Sequence, residues 1–217
     1  MESKSHMSEA ANSNTQQISY QSHDLKSARL RKQRFPRRLR QGDIELIRLS
    51  LNNNPERREE LFALYTKNRN HLLPWHLERA GLLFADVGEM ERHIKKYARK
   101  YGQSWHAVYY AGALAGLMEL LPTRDGESQG VCLAYWVDES HTRKGIMRTA
   151  ISMVEQALQP MAIDFVETEI SINNLPSIKL MEKCAYRKYG VQFHIFASEE
   201  ANDPTVLYRK HLSGHSQ

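Results

Sequence analysis

YWVDESHTRKGIMRTA, Tyr135 to Ala150, decides how this chain is read. It leaves an aromatic, apolar, strand-like end, crosses a polar turn containing Gly145, and enters a segment in which Met147, Ala150, Ile151, Val154 and Leu158 share one helical face. A strand ending at Val137 and a helix beginning near Thr142 place the backbone N–H groups of Arg143 to Arg148, Ile146 among them, at a helix start. There they lack intrahelical acceptors and, together with the helix dipole, attract an anion. Gly145 carries no Cβ to obstruct a ligand approaching that backbone, and Arg143, Lys144 and Arg148 add positive charge. A glycine near a helix start flanked by basic residues is also what an ordinary structural turn looks like, so the stretch alone leaves both readings open.

Outward from the turn, strand and helix signals alternate. VCLAYWV, Val131 to Val137, is a near-continuous apolar run of the kind that forms a buried strand. WHAVYYAGALAGLMELL, Trp105 to Leu121, reads as two strands about Ala111 and Gly112. Its GALAG lacks both the glycine spacing and the following helix of a dinucleotide site. DIELIRL from Asp43 alternates as a half-buried strand does, Pro55 opens a helix carrying Leu61, Leu64 and Tyr65, and Val87, Met90, Ile94, Tyr97 and Ala98 mark a second helix. Downstream, DFVETEISI from Asp164 is a strand, PSIKLMEKC from Pro176 a helix, and RKYGVQFHIF and TVLYRKHL two more strands. The pattern predicts a mixed α/β sheet in a single domain over residues 42–217.

The 217 residues are 41% hydrophobic and 25% charged, ordinary for a soluble protein. No apolar run approaches the ~20 residues that span a bilayer, and no short apolar signal core opens the chain, so the cytoplasm is the expected compartment. Cys132 and Cys184 are too few and isolated for a disulfide framework or zinc ribbon; buried thiols are expected, and no metal. The net charge of +5 is uneven: RLRKQRFPRRLR, Arg29 to Arg40, holds seven basic residues and no acidic one. Such a block attracts nucleic acid, a ribosomal surface or anionic lipid by counterion release, or is simply a solvated arm. Residues 1–41 are expected to form a disordered polar and basic tail.

A second segment adds specificity. In ISINNLPSIKLMEKCAY, Ile170 to Tyr186, a strand runs to Asn174, then Pro176 and Ser177 open a short amphipathic helix that ends before an aromatic residue. At this point the sequence resembles the GNAT family of acetyl-CoA-dependent N-acetyltransferases, particularly its ribosomal-protein N-terminal acetyltransferase branch. DESHTRKGIMRTA is similar to the family turn Asp-Glu-x-x-Gln-x-x-Gly-x-Gly/Ala, and NNLPSIKLMEKCAY to its Asn-x-x-Ser helix followed by Glu-Lys-x-Gly-Phe. HLLPWHL, from His71, resembles the branch's early Leu-x-x-Trp segment. The resemblance covers roughly residues 42–212. It implies the acyl-CoA N-acyltransferase fold, a mixed, mostly antiparallel sheet of six to seven strands flanked by helices. It also implies acetyl-CoA as co-substrate, with the pyrophosphate on Thr142 to Met147, Asn174 and Ser177 contacting the pantetheine arm or lying near the thiol, and a pantetheine hydrogen bond to the Val137 backbone where two strands splay. Trp75 and His76 would line the acceptor pocket by the same resemblance, or else form a core-anchoring loop. Thr142, Met147 and Cys132 depart from the family pattern, Cys132 standing where a carboxylate is common.

Moving acetyl from a thioester to an amine needs a base to free the amine, donors to stabilise the carbonyl oxygen charge, and a stabilised leaving sulfur. Glu119 is the first candidate base, on a strand bordering the acceptor cleft, and His106 the second. Ser177 or Tyr186 serves the sulfur. Glu167 and Glu169 read as sheet-surface charges, with contact to a cationic acceptor as the alternative. The acceptor is an amine: a protein N-terminus, plausibly ribosomal, or a small polyamine, amino sugar or antibiotic. A non-catalytic acetyl-CoA sensor docked through its basic arm is the competing class, and the chain is expected as a monomer or homodimer.

Overall fold

The protein is described by a computed structural model over residues 35–50, 55–75, 84–192 and 204–212. The alternating segments form strands β1 (Arg38–Gln41), β2 (Ile44–Arg48), β3 (Ser104–Tyr110), β4 (Ala113–Asp125), β5 (Ser128–Val137), β6 (Phe165–Ser171), β7 (Arg187–Gln192) and β8 (Thr205–His211). The helical segments form α1 (Pro55–Lys67), α2 (Arg69–Leu72), α3 (Val87–Tyr101), α4 (Ile146–Leu158) and α5 (Leu175–Lys183). One sheet runs β1-β2-β3-β4-β5-β6-β8-β7, antiparallel throughout except for the parallel β5–β6 pair.

Period-two alternation sorts the strand side chains onto two cores. On one face Met118, Leu120, Val131 and Leu133 pack with Ile146, Ile151 and Val154 of α4 and Met181 of α5. On the other, Trp105, Ala107, Leu117 and Trp136 pack with Leu61 and Leu64 of α1 and Met90 and Ile94 of α3. The helices end where local chemistry dictates. Asp86 caps α3 by accepting from the Glu89 N–H at 2.8 Å, the Glu89 carboxylate accepts from the Ala85 N–H at 2.7 Å, and Gly102 closes the helix at φ 68°.

Eight strands are described rather than six to seven, and the difference lies in the basic block. Arg38–Gln41 pairs with Ile44–Arg48 around a turn at Gly42, φ 59°, so the expected tail boundary at 41/42 falls inside a hairpin. The run of arginines hid the strand pattern. Arg38 and Arg40 both reach the Glu45 carboxylate, at 2.6 and 3.4 Å, while Leu39 packs onto the core. Phe35 is also buried, its ring meeting that of His106 edge-on at 5.0 Å. The earlier part of the tail, with Arg29 to Arg34, lies outside the described residues. Among those described, no helix is long and apolar enough to cross a membrane.

The connection that decides the site starts at β5 and β6. They pair only from Gly130↔Phe165 to Cys132↔Glu167 and then diverge. Gly130 permits the close start, since a Cβ there would sit 2.2 Å from the Phe165 ring. Where the ladder stops, Thr168 Oγ1 donates to the Leu133 carbonyl at 2.8 Å, a side chain taking the next backbone donor's place.

His106 is buried on the face of the sheet away from Glu119 and is not placed to act as the base. It pairs across the strands with Met118 whereas its neighbour Trp105 pairs with Glu119, so His106 faces the opposite side of the sheet from Glu119. Both its ring nitrogens are buried without a hydrogen-bond partner among the described residues. Burial, reinforced by Arg48, pushes its pKa down to about 3. The unfolded chain protonates this histidine near pH 6.5 and the folded one only far lower, so between those values the unfolded state binds more protons. Stability therefore falls as the pH drops below about 6.5, by up to about 1.4 kcal/mol per pH unit from this group. His106→Leu should flatten the decline in denaturant midpoint between pH 6.5 and 4; a slope equal to wild type would contradict this reading.

Candidate active site

Backbone N–H and C=O groups of successive strand residues point to opposite edges. The Asp138 N–H donates to the Ala115 carbonyl on β4 at 2.7 Å, so the Val137 and Tyr135 groups point the other way, toward β6. The Leu133 carbonyl, in the same phase, does meet β6 through Thr168. Beyond it β6 has moved off, leaving the edge at Tyr135 and Val137 without a partner strand. A slot bordered by unpaired strand groups takes an extended polyamide chain, as an added strand would be taken.

From Val137 the chain is held by one buried carboxylate. Asp138, 2% exposed, accepts from Lys67 Nζ at 2.7 Å, Ser140 Oγ at 2.9 Å and the Ser140 N–H at 3.3 Å, and His141 Nδ1 lies at 3.2 Å. Burial alone would raise its pKa; the hydrogen bonds from Lys67, Ser140 and His141 outweigh it and hold the carboxyl well below the usual range. Asn68, also buried, accepts from the Glu139 N–H through Oδ1 at 2.9 Å and ties its own amide to Leu64 at 2.9 Å. The end of α1 thus clamps the turn from beneath.

The helix after the turn begins at Ile146, not near Thr142. Arg143 at φ 60° and Gly145 at φ 76° are left-handed and cannot be helical, and Thr142 instead closes the turn, its N–H and Oγ1 both donating to the Glu139 carbonyl. Gly145 is the N-cap and no side chain caps α4. The donors of Ile146, Met147 and Arg148 therefore remain available for an anion. A Cβ on Gly145 would meet nothing within 4 Å, so the space above this helix start is open. Arg143, Lys144 and Arg148 are exposed around it. Met147 does not fill the turn: its side chain is buried in the core, and its Cε would lie 3.2 Å from a Cβ on Gly116.

Across the slot stands α5. Asn174 caps it, Oδ1 accepting from the Ser177 N–H at 3.2 Å, which gives Asn174 a structural duty. The Ser177 and Tyr135 hydroxyls lie 2.6 Å apart, joining the helix to β5. Sequence reasoning missed Tyr135; the available signal was its phase, shared with Leu133 and Val137. Tyr186 lies deeper, 4% exposed, with burial and then Glu155 pushing its pKa far up. Ser177, half-buried beside the slot, is better placed than Tyr186 to meet a ligand.

On the opposite sheet face Glu119 accepts from Gln103 Nε2 at 2.5 Å and lies across from Ala134, whose exposed methyl leaves the sheet open beside it. Burial and then Glu119 raise the Tyr65 pKa well above that of a free phenol. Where a carboxylate was expected, Cys132 has three around it: burial first, then Glu167, Glu169 and Glu119, push the thiol far up, so it stays protonated. Cys184 is raised likewise, by burial and then Glu155. Glu167 corrects the surface reading. It is 3% exposed, held by Arg209 at 2.8 Å and the Tyr189 hydroxyl at 2.8 Å. Glu169 accepts from the Thr205 hydroxyl. Trp75 ends a short 3-10 turn, Leu73–Trp75, and is half-buried; His76 lies outside the described residues. No group of three metal-binding side chains occurs among the described residues.

The chain matches the model of the acetyltransferase (GNAT) family over residues 58–186. It is 25% identical over 139 residues to the probable N-acetyltransferase YjcK of Bacillus subtilis (strain 168), covering 61% of this chain and 76% of that protein. Among solved structures it is similar in fold to RimL, a ribosomal L7/L12 α-N-protein acetyltransferase in complex with coenzyme A, with TM-score 0.69 and 14% identity over 83% of this chain and 99% of that one. The ribosomal-protein-S5-alanine acetyltransferase of Vibrio fischeri is similar at TM-score 0.68 and 15% identity, with the same coverage of each chain.

Removing the Asp138 charge tests the clamp. Because the folded pKa is depressed, the stabilisation is complete above the unfolded value near 3.9 and is lost as pH falls from there toward the folded value. Asp138→Asn should lower the unfolding free energy by about 2 kcal/mol at pH 7. The gap to wild type should narrow below pH 4; a gap independent of pH would show that the carboxylate charge is not what the clamp uses.

Proposed function

The chain belongs to the GNAT acetyltransferase family, and on that premise we propose that acetyl-CoA lies along the β5–β6 slot and over the α4 start, with a protein N-terminus as the acceptor on the carboxylate side of the sheet. The observation that carries this reading is the continuity of the unpaired edge at Tyr135 and Val137 with the uncapped start of α4. The residues present fit the cofactor. A diphosphate suits the N–H groups of Ile146 to Arg148, with Arg143 and Lys144 beside it, and the amides of a pantetheine suit the Tyr135 and Val137 backbone.

Acetyl-CoA supplies an activated acyl group as a thioester. Around it, Glu119 takes a proton from the incoming ammonium, directly or through one water, leaving a neutral amine. Backbone N–H groups on the β5 edge donate to the carbonyl oxygen as charge develops there. Ser177 donates a hydrogen bond to the departing sulfur. A thiolate is a far weaker base than a serine alkoxide, so donation without full transfer is the role the serine can fill. Cys132 and Cys184 take no part, both being held protonated. The carboxylate of Glu119 favours a cationic acceptor, as an α-ammonium group is.

A thiol-release assay across peptides with free N-termini, polyamines and amino sugars, read with intact mass, tests the assignment. Peptides should be acetylated on the α-amine, and Glu119→Gln should lower kcat about 100-fold. Acetylation of small amines alone would overturn the N-terminal acceptor, release with no amine would overturn the enzyme, and an undiminished kcat would remove Glu119 as base.

A further inference from the structure

A serine hydroxyl has one proton to give and several acceptors competing for it. In a helix interior the usual competitor is a carbonyl three or four residues back, but Ser177 lies in the first turn of α5 with no complete turn before it. At Ser177 the backbone N–H is already committed to Asn174, and the side chain lies 2.6 Å from the Tyr135 hydroxyl. We propose that Tyr135 is a positioning residue, donating its phenolic proton to Ser177 Oγ so that the serine's single proton points at the departing sulfur.

Three observations carry the assignment. Tyr135 comes from the strand whose edge forms the slot, so the pair joins the two walls between which the acyl group must pass. Burial raises the phenol's pKa, outweighing the Ser177 hydrogen bond that lowers it, so Tyr135 remains a donor throughout the working range. Met181, one turn further along the same face of α5, is fully buried and has no proton to offer, so on this face the donor is Ser177. If the polarity were reversed, with Ser177 donating to Tyr135, the proton would be spent within the pair and the sulfur would face a lone pair. Charge balance requires nothing further. The C–S bonding electrons leave with the sulfur as a thiolate stabilised by the Ser177 hydrogen bond; the ammonium's first proton leaves through Glu119 to solvent before attack, the second leaves the nitrogen of the tetrahedral intermediate to water as the C–S bond breaks, and solvent protonates the released thiolate.

This inference rests on the acetyl-CoA reading, so its test includes a readout that needs no acceptor. Coenzyme A is bound to the protein and its thiolate is followed by ultraviolet absorbance as the pH is raised. Tyr135→Phe keeps the ring that packs on the core and should raise the bound thiol's pKa by about one unit. It should also lower kcat about tenfold with the acetyl-CoA KM within about twofold. In a Ser177→Ala background the same change should cause no further loss, because Tyr135 acts only through the serine. An unshifted thiol titration in Tyr135→Phe, or losses that multiply in the double variant, would overturn the proposal while leaving the cofactor site standing. If Ser177→Ala changes neither readout, the role of Ser177 falls as well. If coenzyme A does not bind, the cofactor reading and this inference fail together.

Discussion

The hydrogen bonds gathered on the buried Asp138 carboxylate set the path of the chain between β5 and α4, and the rest of the site depends on that path. A charge 2% exposed persists only when its neighbours satisfy it, and Lys67, Ser140 and His141 do so from two directions. The constraint fixes the strand's end next to Gly116 and leaves Gly145 as an uncapped helix start. Asn68 and Lys67 belong to the segment that packs on the opposite face of the sheet. The helices that cover the Glu119 face of the sheet therefore also shape the turn before α4.

The divergence of β5 from β6 divides the chemistry between the two sheet faces. On one side Ser177 and Tyr135 meet near the slot; on the other Glu119, Glu167 and Glu169 surround the protonated Cys132 thiol. Arg209 occupies Glu167 and lies over the rings of Phe165 and Tyr189, at 4.0 and 4.5 Å, so this carboxylate serves the sheet. Glu119 accepts from the neutral amide of Gln103 and has the small Ala134 across from it.

Much of this was legible in the sequence because it rests on periodicity and local chemistry. The strand, turn and helix about Gly145 and the short helix after Asn174 followed from residue type and spacing, and the resemblance of the two motifs in order pointed to the family; the cap that Asn174 places on the Ser177 N–H did not follow. The helix start was misplaced by four residues because backbone handedness at Arg143 and Gly145 leaves no trace in apolar spacing. β1 was missed because Arg38 and Arg40 serve a cross-strand partner, Glu45, that a charge count does not pair with them. The Asp138 clamp and the Tyr135–Ser177 contact join residues 71 and 42 positions apart, which only the folded sheet brings together. Met147, a departure from the family pattern, proved compatible with the turn because its side chain turns into the core.

On the proposed reading, backbone donors at the α4 start hold the cofactor's diphosphate. Calorimetric titration of acetyl-CoA into wild type and into Gly145→Glu, with the fold of each checked by circular dichroism, tests it most directly. The added carboxylate would project into the open space above Ile146 to Arg148, repel the diphosphate and strain a residue at φ 76°. A loss of affinity of at least about tenfold, with the fold retained, is predicted; unchanged affinity in a folded variant would contradict the account.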